Sequence, residues 1–274
     1  MTGSHSPSGR YAAFFDLDGT LAVDNAPPSP ADRDAIRAFR SRGNAVFLCT
    51  GRAPAHLYPA ILDIGFDGVV AGAGAHITLG GQTIFRRFLS EQTIRKVADF
   101  SARTGYVCVL EGETGMFQIS HGDTRLPWPR AENGADFRRR YPHEIITKLT
   151  YFRRCDDALE ACLSDLHVIR HPDYVEAVPA GCSKSDGMRR VLEALRIPRE
   201  NSLAFGDSMN DLDMIAYAGL GVAMGNAADP VKAAADRVTR PLSENGVAVA
   251  LRDWQADERV KTQERRETDG IHPA

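Results

Sequence analysis

The stretch "YAAFFDLDGTLAVD", residues 11–24, decides the fold. An apolar run of strand length stops at two carboxylates, Asp16 and Asp18, with only Leu17 between them, and Gly19 and Thr20 follow at once. Alone, the pair admits two readings. Asp and Gly are common turn formers, so a strand could simply be entering a polar turn. Alternatively the strand tip holds a cation and attacks a substrate.

Working outward, short apolar runs alternate with helical patterns. Ser29 precedes a helix with Ile36 and Phe39 on its apolar face, "AVFLCT" is a second strand, "APAHLYPAILDIG" a helix or broken helix, and "FDGVVAG" a third strand. Short apolar strands separated by helices predict a parallel, doubly wound sheet covered on both faces. After residue 77 the pattern changes. "AHITLGGQTIFRRF" predicts a hairpin with a Gly-Gly turn, and strands then follow one another with interspersed helices, as in an α+β module. Residues 121–142 show no clear period and predict a long loop or excursion. From Ser183 the strand–helix alternation resumes, through "SLAFGD" and "GLGVAMG". The expected fold class is therefore α/β: a doubly wound, Rossmann-like parallel-sheet core over 11–79 and 182–252, with an α+β cap inserted at 80–181. The polar ends, 1–10 and 253–274, are expected to be disordered.

Bulk properties exclude several classes. The net charge of −3 over 274 residues gives no attraction to nucleic acid or to a membrane surface. No apolar run reaches the roughly 20 residues needed to span a bilayer, and "MTGSHSPSGR" has no apolar core of a secretory signal. The five cysteines are odd in number and scattered without zinc-ligand spacing, which favours reduced thiols in a cytoplasmic protein. The histidines are equally dispersed. Only five of the 33 basic residues are lysines, so a lysine at a motif position carries added weight.

Ligands of open parallel sheets bind at the carboxyl ends of the strands. Here those ends carry Asp16 and Asp18, then "CTGR" with Thr50, Gly51 and Arg52, then "GDSMND" with Asp207, Asn210 and Asp211; Lys184 begins the helix leading into that last strand. Carboxylates, a hydroxyl and a lysine together make a magnesium and phosphate site, because hard oxygen ligands suit Mg²⁺ while Thr and Lys hold phosphoryl oxygens. Gly51, Arg52 and Asn210 join Thr50 and Lys184 as candidate substrate contacts.

In this order, "DLDGT", "CTGR", "GCSKSDGM" and "GDSMND" resemble the four motifs of the haloacid dehalogenase-like hydrolases, specifically the Cof-like subclass, which also typically shows "AMGNA" (here Ala223 to Ala227) and a late "NGVA" (here Asn245 to Ala248). The likeness covers roughly 11–252. It departs in "AGAGAHI", where Ala73 stands in place of the subclass's frequent Asn. The resemblance implies a phosphatase acting on a small phosphorylated metabolite. Asp16 would be the nucleophile forming an aspartyl-phosphate, and Asp18 the acid and then base. Thr50 and Lys184 would hold the phosphoryl group. Mg²⁺ would be bound by Asp16, the Asp18 backbone carbonyl, Asp207 and, through water or by orienting Lys184, Asp211. Asp18 is then expected to be partly buried beside negative charge, which raises a carboxyl pKa. The cap would exclude water, with Arg125, Trp128, Arg130 and Glu176 as candidate contacts. The rival readings are a phosphosugar mutase and a non-catalytic phospho-acceptor or Mg²⁺-binding regulatory protein.

Overall fold

The structure is a computed structural model that describes residues 9–121 and 124–268, with side chains through 260. The first strands are β1 (Ala12–Phe15), β2 (Ala45–Cys49), β3 (Gly68–Ala71), β4 (His76–Leu79) and β5 (Gln82–Arg86). An inserted segment supplies β6 (Cys108–Gly112), β7 (Met116–Ile119), β8 (Arg130–Ala131), β9 (Ile146–Tyr151), β10 (Leu166–Arg170) and β11 (Val175–Pro179). The chain then returns for β12 (Ser202–Gly206), β13 (Leu220–Ala223) and β14 (Arg237–Val238).

Eight strands form the core sheet in the order β14-β13-β12-β1-β2-β3-β4-β5. The pairs from β14 to β3 are parallel, and the hairpin β4–β5 adds an antiparallel edge. Strand β1 lies between β12 and β2, so the chain winds away from it in both directions and leaves a crevice at its carboxyl end. The central strands are apolar along their whole length because helices cover both faces. Phe14 stacks on Phe47 and Phe15 on Phe205, with ring centroids 5.1 and 4.8 Å apart. The helix Pro30–Ser41 starts where expected: the Ser29 hydroxyl accepts from the Asp32 N–H at 3.0 Å. "APAHLYPAILDIG" is indeed broken, into Pro54–His56 and Pro59–Leu62, because each proline opens a new helical start and Leu57 and Tyr58 between them are extended.

The second sheet runs β10-β11-β9-β6-β7-β8 and has its own apolar core, including Phe117, Phe137, Leu149 and Tyr151. Three expectations need correction. The boundary at residue 80 cuts a hairpin whose second strand, β5, pairs with β4 on the core sheet, so the inserted segment begins after Arg86. Residues 121–142 are not one loop among the described residues: β8 pairs with β7, and the helix Gly134–Arg140 is capped by Asn133. Finally, 253–268 are helical rather than disordered, as part of Gly246–Thr268. That segment lacks Gly and Pro and is rich in strong helix formers. Trp254 also anchors it edge-on to Tyr11 at 4.9 Å, and Arg237 pairs with Asp257 at 2.5 Å. The expectations for 1–8 and 269–274 fall outside the described residues.

Candidate active site

Three parallel strands deliver the site. Asp16, Thr50 and Asp207 each occupy the position directly after β1, β2 and β12. The Asp16 N–H donates to the Phe205 carbonyl at 2.9 Å and the Thr50 N–H to Val70 at 2.8 Å, so each turn is still tied to the sheet where the side chain emerges. Lys184 opens the helix Lys184–Leu195, which the Ser183 hydroxyl caps by accepting from the Asp186 N–H. Its ammonium is fully buried and donates to Asp16 Oδ1 and Asp211 Oδ1, both at 2.5 Å. The other oxygen of Asp211 accepts from the backbone N–H groups of Asp207 and Ser208 at 3.0 and 2.9 Å. Asp211 therefore ties the lysine to the loop that carries Asp207.

One lysine does not balance this cluster. Carboxylate oxygens of Asp16, Asp207 and Asp211 lie within 4.8 Å of one another. Burial, and then repulsion from Asp211, push the Asp16 pKa well above the usual carboxylate range, and the same two causes push Asp207 up to about 7. Burial alone would lower Lys184, but Asp16 and Asp211 raise it well above its ordinary value, so it stays charged. Closely set hard oxygens with surplus negative charge fit a divalent cation.

Asp18 is more open than Asp16: its side chain is 52% exposed and is held by a two-point contact with Arg52, Nη2 to Oδ1 at 2.5 Å and Nε to Oδ2 at 2.8 Å. Arg52 is steadied in turn by Asn25, by the His56 carbonyl and by the Tyr58 ring.

Further residues support the loop. Gly19 has φ +87° and faces Asp207 so closely that a Cβ would overlap the carboxylate. The Thr20 hydroxyl donates to Asp207 Oδ1 at 3.3 Å. Asn226 of "AMGNA" donates to the Gly19 carbonyl at 2.8 Å and accepts from the Leu242 N–H, fixing the loop between β1 and the rest of the site. Ala73, at the departure from the subclass pattern, is buried in the left-handed region at φ 48°, ψ 46°. Asn tolerates that conformation better than Ala, which gives a backbone reason for the more frequent residue.

A cleft of about 330 Å³ opens over the site. On the core side Asp16, Asp18, Gly51, Arg52, Ser208 and Asn210 line it, while Thr50 and Lys184 lie buried behind. Asn210 accepts from the Ser208 hydroxyl at 2.7 Å. The other wall comes from the cap, and of the four expected contacts Trp128 and Glu176 line it whereas Arg125 and Arg130 are exposed elsewhere. Sequence reasoning missed Glu111, Lys148, Thr150, His56 and Tyr174. A signal for three of them was present: Glu111, Lys148 and Thr150 are polar residues in strands otherwise made for burial, "CVLEG" and "ITKLTY".

Fold and site together define a capped α/β protein with carboxylates and a buried lysine at the strand ends. Residues 13–251 match the family model described as haloacid dehalogenase-like hydrolase, and the chain belongs to that family, in its Cof-like subclass. Among its relatives is the putative phosphatase YkrA of Bacillus subtilis, 29% identical over 251 residues, covering 88% of this chain and 96% of YkrA. Another from the same organism, the 5-amino-6-(5-phospho-D-ribitylamino)uracil phosphatase YitU, is 28% identical, covering 89% and 97%. The solved structure of BT1666, a phosphatase of this superfamily from Bacteroides thetaiotaomicron, superposes with a TM-score of 0.80 at 27% identity, covering 93% of this chain and 99% of that one. The protein is a phosphatase. No helix among the described residues is long and apolar enough to cross a membrane.

Proposed function

We propose that the protein is a Mg²⁺-dependent phosphatase of small phosphorylated metabolites that works through an aspartyl-phosphate on Asp16. The observation that carries this reading is the buried Lys184 bridge between Asp16 and Asp211, set beside Asp207 at the mouth of a cleft roofed by a second domain. Relatives act on a small phosphorylated substrate by name, as YitU does, and the cleft is of metabolite size. Asp16, Asp207, the Asp18 carbonyl and, less directly, Asp211 would hold the Mg²⁺. When bound, the cation supplies positive charge against which the phosphoryl oxygens and the carboxylate can approach.

The chain's own groups then divide the work. Asp16 forms the new oxygen–phosphorus bond as the bond to the leaving alcohol breaks, while Lys184 and Thr50 steady the phosphoryl oxygens. Asp18 donates a proton to the departing oxygen and later takes one from the water that releases inorganic phosphate. The Asp18–Arg52 pair must part first, because the guanidinium engages both carboxylate oxygens. Arg52, Gly51 and Asn210 face the cleft and would meet the incoming phosphate ester.

The test is phosphate release from a panel of phosphometabolites, with Mg²⁺ and with a chelator. Turnover is expected only with the cation, and Asp16→Asn is expected to abolish it while leaving the melting temperature near wild type. Equal turnover by Asp16→Asn, or indifference to chelation, overturns the reading.

A further inference from the structure

The cap wall holds charge that the reaction at phosphorus does not use. Glu111, Lys148 and Glu176 sit on β6, β9 and β11, three neighbouring strands of the cap sheet, and each is at most 7% exposed. Lys148 Nζ pairs with Glu176, lies 3.4 Å from Glu111 Oε1, and donates to the Gly51 carbonyl of the core at 2.9 Å. Thr150 donates to Glu111 at 2.5 Å, and the His171 ring nitrogen lies 3.2 Å from Glu176 Oε2. The cluster sits directly against the phosphate end: a Cβ on Gly51 would meet Glu176 Oε2 at 3.8 Å and Lys148 Nζ at 4.0 Å.

Burying three charges costs several kcal/mol per ion before pairing, and a well-packed apolar trio would hold the sheet at least as well. That these groups line the cleft gives the cost a function. The ammonium donates to Glu176 and to the Gly51 carbonyl, and Glu111 stands 3.4 Å away as a second ion-pair partner. Two carboxylates surround the one ammonium, so its charge is already matched before an anionic ligand arrives. The carboxylate oxygens, in contrast, are acceptors that hydroxyl groups can satisfy. Trp128 and Tyr174 add apolar ring surface to the same cleft.

We propose that Glu111, Lys148 and Glu176 act as a charge filter on the leaving group, accepting an uncharged, hydroxyl-rich alcohol and rejecting one that carries a second anionic group. The proposal rests on the phosphatase reading for the identity of the ligand, and it narrows that ligand's class. Two like charges brought together in a desolvated site discriminate strongly.

The test uses sorbitol 6-phosphate and 6-phosphogluconate, which differ only in a terminal CH₂OH against a carboxylate. Their dissociation constants are measured by calorimetry on Asp16→Asn protein with Mg²⁺, which needs no turnover. The expected result is binding of the neutral compound at least tenfold tighter. Glu176→Gln and Glu111→Gln, each combined with Asp16→Asn, release Lys148 for the carboxylate and bring the ratio below about threefold. Equal binding of both compounds, binding of neither, or a ratio unmoved in both folded variants (checked by circular dichroism) overturns the filter. Hydrolysis of p-nitrophenyl phosphate by the wild type, read separately, reports on the phosphatase reading, so the two can fail independently.

Discussion

Lys184 is the residue on which the site turns. It bridges Asp16 and Asp211 at 2.5 Å each, fully buried, and removing one partner of a buried ion pair is far more damaging than the pair is stabilising. Lys184→Met is expected to lose about 3–5 kcal/mol of stability in the presence of chelator, as read from urea unfolding, with part of the loss recovered on adding Mg²⁺. Gly19 is constrained in two ways, by its φ of +87° and by the adjacent Asp207 carboxylate. Gly19→Ala is expected to cost about 1–2 kcal/mol of backbone strain and, by displacing Asp207, to lower phosphate release at least tenfold; a normal rate at saturating Mg²⁺ would contradict that geometry.

At the scale of elements, the cap sheet and the C-terminal helix carry the testable energetics. In the cap, burial acts to raise the Glu176 pKa, but Lys148 and His171 outweigh it and hold the group down at about 2, against 4.5 for a free glutamate. A depressed folded pKa means that the stabilisation is complete above about pH 4.5 and disappears as the pH falls toward 2. The difference amounts to about 3 kcal/mol. Wild type should therefore exceed Glu176→Gln in stability at pH 7, with the gap closing between pH 4.5 and 2 in chemical denaturation. The helix Gly246–Thr268 is tied at its start by the Ala248 N–H, which donates to Asp32 at 2.7 Å, and along its length by Trp254 against Tyr11 and Phe39. Trp254→Ala should cost about 2 kcal/mol, below the full-burial range because the ring is only partly buried; a shift in thermal midpoint of several degrees would show it.

At the scale of the molecule, two sheets meet at one cleft, whose core end sets three carboxylates around one lysine. Asp207, pushed up to about 7 by burial and by Asp211, binds a proton or a metal but not both. Mg²⁺ should raise the melting temperature of the wild type more at pH 8 than at pH 6, and Asp207→Asn should remove most of that rise. At a hundredfold excess over its dissociation constant the ion would add about 2.7 kcal/mol. The cap reaches the core through Lys148, which donates to the Gly51 carbonyl, so one cleft joins the strand-tip carboxylates to the charged cap wall.

Much of this was readable from residue order. The apolar runs ending in Asp16, Thr50 and Asp207 specify a parallel sheet and put their polar tips at one crevice, since both the strand period and the winding rules are local and directional. Lys184 was legible as the lysine of a motif in an arginine-rich chain. Burial and pairing were not legible, because they depend on what another strand brings. Asp18 found a two-point partner in Arg52, β5 stayed on the core sheet beyond the expected boundary, and 253–268 kept a helix because Tyr11 and Phe39 offered Trp254 a surface. The sequence alone determined the fold class and brought the four motif segments to one crevice. Only the tertiary structure assembled Glu111, Lys148 and Glu176, from strands dozens of residues apart, into one cap wall: long-range pairing sets that register, and no local pattern encodes it.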